Sequence, residues 1–357
     1  MVVRGARRGA TGVTGPEPQD TSDGQRRRRP AVAFTHGSSP LLSILGITAG
    51  AAGMLLILAT VVGFLGHHWW VFELVSNLRI QLALGLVVVT VTLLVVRRWI
   101  PAALAGVAAS VNLALVVPLL MAGGPAVPAA GSDPLQITFF NTTHQANRTQ
   151  VIEYLRDREE DIVVLAAVDR FWPEVVEGSG LGLEVVVGPH VDDRLQILVL
   201  AREPDAAQVT VHRQSDAEQG HAVEITLELD GQHLDILSVH AISPRTPQRA
   251  QQRDRALDWT ATWANSRDGP TVVIGDLNVT PWSPRYRSLL DGTDLIDPQR
   301  DHGVRASWPA QLGWFGLPLD HVLYSPDLVT VERDLGPSFG SYHRMLHAEV
   351  ARREPRS

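Results

Sequence analysis

The sequence predicts an α/β domain of two packed, mainly antiparallel β-sheets flanked by helices, a four-layer α/β/β/α sandwich, preceded by three transmembrane helices. Three observations carry this. Long apolar runs with almost no charge fill residues 40–122. Short strand patterns outnumber helical ones after residue 134. Hairpins there mix with β-α-β steps, which favours two sheets with helices outside over a single parallel sheet.

Composition narrows the chemistry. The 357 residues hold 31 Lys+Arg and 38 Asp+Glu, a formal net charge of −7. All the basic residues are arginine, and the run Arg26–Arg29 joins Arg4, Arg7 and Arg8 near the amino terminus. There is no cysteine, so a disulfide-linked partner and a thiolate metal site are both excluded. A metal here must sit among carboxylates, amides, imidazoles and water, a set suited to Mg²⁺, Mn²⁺ or Ca²⁺. The acidic balance beyond residue 130 argues against a broad basic face for nucleic acid.

Taken in order, residues 1–39 read as a disordered basic tail, too rich in Gly, Pro, Ser, Thr and Arg to bury apolar surface. Residues 40–122 read as a three-helix membrane anchor, with spans near 40–66, 80–96 and 100–122, each near the roughly 20 residues a bilayer requires. Cations gather in the tail and at Arg97–Arg98, so the amino terminus is expected in the cytoplasm. Three crossings then make this a multi-pass membrane protein with its carboxyl-terminal domain extracytoplasmic. His67, His68, Trp69 and Trp70 fit an interfacial belt. Residues 123–133 read as a linker, 134–352 as the folded domain and 353–357 as a tail.

Within the domain, strands are expected at 135–141, 161–168, 194–201, 221–229, 233–240, 320–326 and 343–351, with a tight turn at Asp230-Gly231. Helices are expected at 146–158 and 247–266, the second opened by Pro247. The organising stretch is TVVIGDLNVTPWSP, residues 271–284. Thr271 to Ile274 make a short buried strand that runs into Asp276 and Asn278. On an extended chain those two point to one side, at the strand's carboxyl end where α/β sheets keep their chemistry. The same residues also suit an Asx-type turn.

Asn141, His240, Asp276, Asn278, Asp320 and His343 all fall at or near predicted strand ends. Carboxylates, amides and imidazoles together suit phosphoester hydrolysis. The order of FFN, SVHAISP, GDLNVTPWSP, SWPA, LPLDHVLYSP and SYHRM over residues 134–352 resembles the endonuclease/exonuclease/phosphatase superfamily, and the leading helices look like a bacterial membrane-anchored branch of it. The resemblance implies catalytic roles for His240, Asp276, Asn278, Asp320 and His343. It implies phosphate contacts from Asn141, His240, Asn278 and His343, with Asp320 orienting His343 and Asp276 orienting or deprotonating water. It implies a cofactor, Mg²⁺ or Mn²⁺, held by Asn141 and Asp276; Asp169, on the same strand face as Ala167, is a further candidate ligand in a shifted seat.

Two positions depart from the family pattern. Ala167 stands where the family places its metal-ligating Glu, and Tyr342 where it places the Asp of Ser-Asp-His. Asp169, two residues past Ala167, either recruits the cation or merely caps its strand. The expected function is a membrane-anchored, divalent-metal-dependent phosphoester hydrolase with a degraded metal site. The alternative is a weak or inactive relative that binds a phosphorylated ligand, a lipid headgroup or a protein at the cell envelope. The sequence leaves the class of phosphoester open.

Overall fold

The computed structural model describes residues 40–121, 128–189, 196–202, 208–212, 221–229 and 232–354. The tail expected at 1–39, the last anchor residue 122 with linker residues 123–127, the turn at Asp230-Gly231 and residues 355–357 lie outside the described residues.

Helices α1 (Pro40–Phe64) and α4 (Trp99–Leu120) are each long and apolar enough to cross a membrane. Helix α3 (Arg79–Val95) qualifies only together with the short α2 (Trp70–Ser76), from which it is bent by 63°. The span count among the described residues is therefore two, or three where the bent pair counts as one. Helix α2 itself was hidden in a segment that reads as a loop. Small residues let the helices approach: Ala49, Gly53, Ala83, Ala102, Ala105 and Ala109 are buried. One polar knot pins the bundle. Asn112 Nδ2 donates to Thr60 Oγ1 at 2.9 Å, and Arg79 Nη1 donates to Asn112 Oδ1 at 3.2 Å.

The part of the chain after the helical bundle is built on two mixed sheets. Strands β1 (Leu135–Asn141), β2 (Ile162–Ala166), β3 (Glu184–Val187), β4 (Ile197–Ala201), β10 (Leu328–Leu335) and β11 (Leu346–Arg352) form one, in the order β10-β11-β1-β2-β4-β3. Strands β5 (Gln208–His212), β6 (His221–Leu229), β7 (Gln232–His240), β8 (Thr271–Asp276) and β9 (Asp320–Tyr324) form the other in sequence order. Only β1–β2 and β7–β8 are parallel pairs; the other paired neighbours run antiparallel.

Alternation along each strand produces the layers, because successive side chains point to opposite faces. Phe139, Val164, Ile236, Ile274 and Val322 meet between the sheets. Their neighbours face outward. Phe140 and Val163 pack under α5 (Arg148–Arg156) and α6 (Trp172–Glu177), whose Val151, Leu155 and Trp172 cover them. Leu237 and Val273 pack under α7 (Pro247–Asn265) and α8 (Pro284–Asp291) through Leu257, Trp263 and Tyr286. Thr246 and Ser283 cap α7 and α8, each followed by proline at the first helical turn.

The domain is seated on the bundle at one end. The contacts involve α2, the first turn of α3 and the last turns of α4, whereas Arg97 and Arg98 lie at the far end of α3 beside Gly46. Arg253 on α7 is fully buried and pairs with Glu73 of α2, which also accepts from Ser283 Oγ at 2.6 Å. Asn77 Oδ1 accepts from both Thr280 Oγ1 and Thr280 N, at 2.7 and 3.2 Å. Trp282 Nε1 donates to the Leu115 carbonyl at 3.1 Å.

Removing one member of a buried ion pair leaves the other charge desolvated and uncompensated. Glu73→Ala is therefore expected to destabilise the full chain by about 3 kcal/mol and to lower its melting temperature by roughly 6–12 °C in detergent. Glu73→Gln, which can still accept from Ser283, should lose less. An unchanged melting temperature for Glu73→Ala would mean that the pair does not hold the domain to the bundle.

Candidate active site

Strand register assembles the centre of the site. The parallel pairing of β7 and β8 sets His240 opposite Asp276, and the antiparallel pairing of β8 and β9 sets Asp276 opposite Asp320. Three polar residues therefore form one row at the end of the second sheet, with strand spacings of roughly 5 Å. Gly275 makes the close pairing feasible. Its φ is +151°, and a Cβ there would lie 1.9 Å from the Val239 carbonyl oxygen, so no other residue fits.

Past Asp276 the chain turns. Asn278 has a left-handed φ of +52°, and its N–H donates to Asp276 Oδ1 at 3.0 Å. The chain thus forms an Asx turn here and does not stay extended, which corrects the expectation from strand alternation. Asn278 Nδ2 donates to the Ala241 carbonyl at 3.0 Å, and its own carbonyl accepts from Arg253 Nη1 at 3.1 Å.

The first sheet contributes Asn141 from the end of β1. Its Nδ2 donates to Asp276 Oδ2 at 3.0 Å and to His240 Nε2 at 3.3 Å, and stands 3.5 Å from His343 Nε2. His343 lies in the loop before β11, not in the strand as its sequence suggests. Ser341 fixes that loop: its Oγ donates to the Asn141 carbonyl at 2.6 Å and accepts from His343 N at 3.0 Å. His343 Nδ1 donates to Asp320 Oδ2 at 2.8 Å, and Nε2 lies 3.7 Å from Asp276 Oδ2. Ser307 Oγ accepts from the N–H groups of Leu319 and Asp320, both at 3.1 Å, and so places the start of β9.

Five of the six residues singled out in the sequence thus converge in one buried polar cluster, Asn141, His240, Asp276, Asp320 and His343, and Asn278 joins it through its backbone N–H to Asp276. Asp169 does not join them. It pairs with Arg148, and its Oδ1 accepts from Phe171 N at 3.0 Å, so it caps the loop after β2. Ala167 is buried in a left-handed conformation, φ +53°, and Tyr342 is 46 % exposed. Ser307, Ser341 and Arg253 brace the site without having been singled out. SWPA and SYHRM carry the two serines, but nothing local marks Arg253.

Burial and charge set the protonation. Burial pushes the Asp276 carboxyl up from 3.8 to about 7; His343 opposes the rise, and Asp320 adds to it. Burial alone would lower His343, yet Asp320 and Asp276 outweigh it and raise the imidazole from 6.5 to about 9. At neutral pH the cluster carries an imidazolium between two carboxyl groups. Asp276, Asp320 and His343 also offer ligand atoms within 4.8 Å of one another, close enough to hold one ion.

A histidine whose folded pKa is raised contributes stability that is fully present below 6.5 and is lost as pH rises through about 9. Asp320→Asn removes the leading attraction and leaves burial in control. The His343 ring, followed by NMR in the full chain, should then titrate below 6.5, and the alkaline loss of melting temperature should shrink. A ring that still titrates near 9 in that variant would show that Asp320 does not set its charge.

The sequence pattern of the Endonuclease/Exonuclease/phosphatase family matches residues 138–343. No curated protein sequence matches the chain. Solved structures share the fold at low identity. A family member from Beutenbergia cavernae DSM 12333 is 18 % identical, with 62 % of this chain and 72 % of that one covered and a TM-score of 0.48. One from Bacteroides vulgatus is 15 % identical over 62 % of this chain and 99 % of its own, at 0.50. D. rerio TDP2, complexed with a single-strand DNA product, is 12 % identical over 61 % and 99 %, also at 0.50. With more than half of its length inside that pattern, the chain belongs to the endonuclease/exonuclease/phosphatase family.

Proposed function

We propose that the protein is a membrane-anchored phosphoester hydrolase with a degraded metal seat and a domain that stands outside the cytoplasm. The observation that carries the chemistry is the cleft itself, where His343 Nδ1 donates to Asp320 and Asn141 bridges toward Asp276 and His240. A carboxyl with a pKa of about 7 suits a general base near neutral pH, so Asp276 would take the proton of the attacking water. Asn141, His240, Asn278 and the His343 imidazolium would donate to phosphate oxygens as charge develops on them.

Enzymes of this family generally use a divalent ion. The residues here do not fit a tightly held Mg²⁺ or Mn²⁺. Ala167 offers no ligand atom, Tyr342 is a neutral phenol, and Asp169 is spent on Arg148. Only Asn141 and the Asp276–Asp320–His343 group remain, and the imidazolium competes with any cation there. The same observation favours a second reading, a weak or inactive relative that binds a phosphorylated ligand, a lipid headgroup or a protein at the cell envelope. The extracytoplasmic placement is supported by the docking end, which lies away from Arg97–Arg98.

The decisive experiment uses the full chain, because its domain shares buried polar groups with the bundle. Calorimetry in Mg²⁺ and Mn²⁺ should show weak binding, and Ala167→Glu with Tyr342→Asp should tighten it by at least about tenfold. Asp276→Asn should lower turnover of phosphodiesters and phosphomonoesters by about 10²–10⁴. Asp169→Asn should leave metal binding unchanged. Turnover that survives Asp276→Asn would defeat the hydrolase reading. A reporter fused after Ser357 should work only outside the cytoplasm; activity confined to the cytoplasm would reverse the topology.

A further inference from the structure

We infer that the loop 308–317 enters the interface of the bilayer that the helices cross, and that the site takes a phosphoester carried by a lipid of that leaflet. The second half of this inference rests on the hydrolase reading; the first does not. At its base the loop closes with a bridge between Trp308 and Leu317. Gly316 permits the crossing, since a Cβ there would lie 2.6 Å from the Trp308 carbonyl oxygen. From base to tip the loop then changes character. The Trp308 ring stands 6.5 Å from that of His343, and Ala310 N donates to the Tyr342 carbonyl at 2.7 Å. At the tip, Leu312, Trp314 and Phe315 are 56 %, 65 % and 44 % exposed.

Three exposed large apolar side chains on one short turn demand a partner. The loop's height identifies it. Gln81 Nε2 in the first turn of α3 donates to the Phe315 carbonyl at 2.6 Å, so the tip sits level with the start of an apolar helix. Trp69, 51 % exposed and edge-on to Phe72, lies just before α2 at the same end of the bundle. Tryptophan and phenylalanine at that depth suit the headgroup layer, where one ring edge is wet and the rest apolar. Residues 309–317, PAQLGWFGL, carry no charge, so the loop has nothing with which to hold a nucleic-acid backbone. The loop's base meets His343 and Tyr342, so a loop seated in the headgroup layer would hold the site close to the level of lipid phosphates.

The chain lacks cysteine, so a single Trp314→Cys can carry a fluorophore in full-length protein reconstituted in vesicles of phosphatidylcholine, phosphatidylglycerol and phosphatidic acid. Lipids with a nitroxide near the headgroup should quench that label strongly, and quench a label at Glu177→Cys on α6 little. Equal quenching at the two positions would overturn the membrane contact. Phosphorus NMR on the same vesicles reports loss of any of the three esters, with short-chain forms of each lipid in free solution for comparison. W314S with F315S should lose at least tenfold on the vesicle substrates and keep turnover of the soluble ones, which also reports that the variant is folded. Equal effects on both forms, or none on either, would overturn the lipid assignment. Strong quenching with no turnover of any ester by the wild type would sink the hydrolase reading and the lipid substrate with it, and would leave the membrane contact standing.

Discussion

Arg253 is the residue that the arrangement cannot do without. Its guanidinium is fully buried, and a buried charge is tolerated only when it is paired and hydrogen-bonded. Its partners come from three places: Glu73 in the helical bundle, Asp254 beside it on α7, and the carbonyl of Asn278 in the turn after β8. Asn278 holds a left-handed backbone, a conformation that asparagine adopts more readily than most residues, and its turn is fastened by the Arg253 guanidinium. Arg253 is therefore one of the direct links between the bundle and the site. The helices do more than tether a free domain.

The cleft's electrostatics follow from which charges it keeps. A family-type site with a Glu at 167 and an Asp at 342 would crowd four carboxyl groups around Asn141, a density that calls for a divalent cation. Ala167 and Tyr342 remove two of them. The two that remain, Asp276 and Asp320, are balanced by a raised proton affinity at Asp276 and an imidazolium at His343. The departures in sequence and the protonation of the cluster are thus one fact seen twice. At neutral pH the imidazolium offsets the negative charge that Asp276 and Asp320 retain, and Asp169 serves Arg148 in an ion pair at the edge of the loop.

Much of this was legible in the chain. Alternating apolar residues announced most of the strands, and the six site residues were found because each sits at or near a strand end inside a recognisable motif. What stayed hidden depends on distant partners. Asp169 looks the same in sequence whether it meets a cation or Arg148, twenty-one positions away. Helix α2 carries Glu73 inside an otherwise interfacial stretch, so it reads as a loop until Arg253 supplies the reason for that charge. Arg253 itself sits in the strongly polar run QQRDRALDW and looks like a solvated helix face. Strands β3, β5 and β10 were missed. At the edges of the first sheet, β3 and β10 each pair irregularly with their one neighbour.

The stretch from Gly275 to Pro284 joins the candidate site to the helical bundle. Asp276 lies in the polar cluster, and Asn278 donates its N–H to it. Val279 gives its carbonyl to the buried His321, whose Nε2 lies 2.8 Å away and donates to it. Thr280 then meets Asn77, Trp282 meets the end of α4, and Ser283 meets Glu73. Within ten residues the chain passes from the candidate site to the surface that meets the bundle, with buried hydrogen bonds along both halves. Buried polar groups left without partners are costly, so neither half can shift alone. A change in how the helical bundle sits must therefore reach Asn278, whose N–H holds the Asp276 carboxylate.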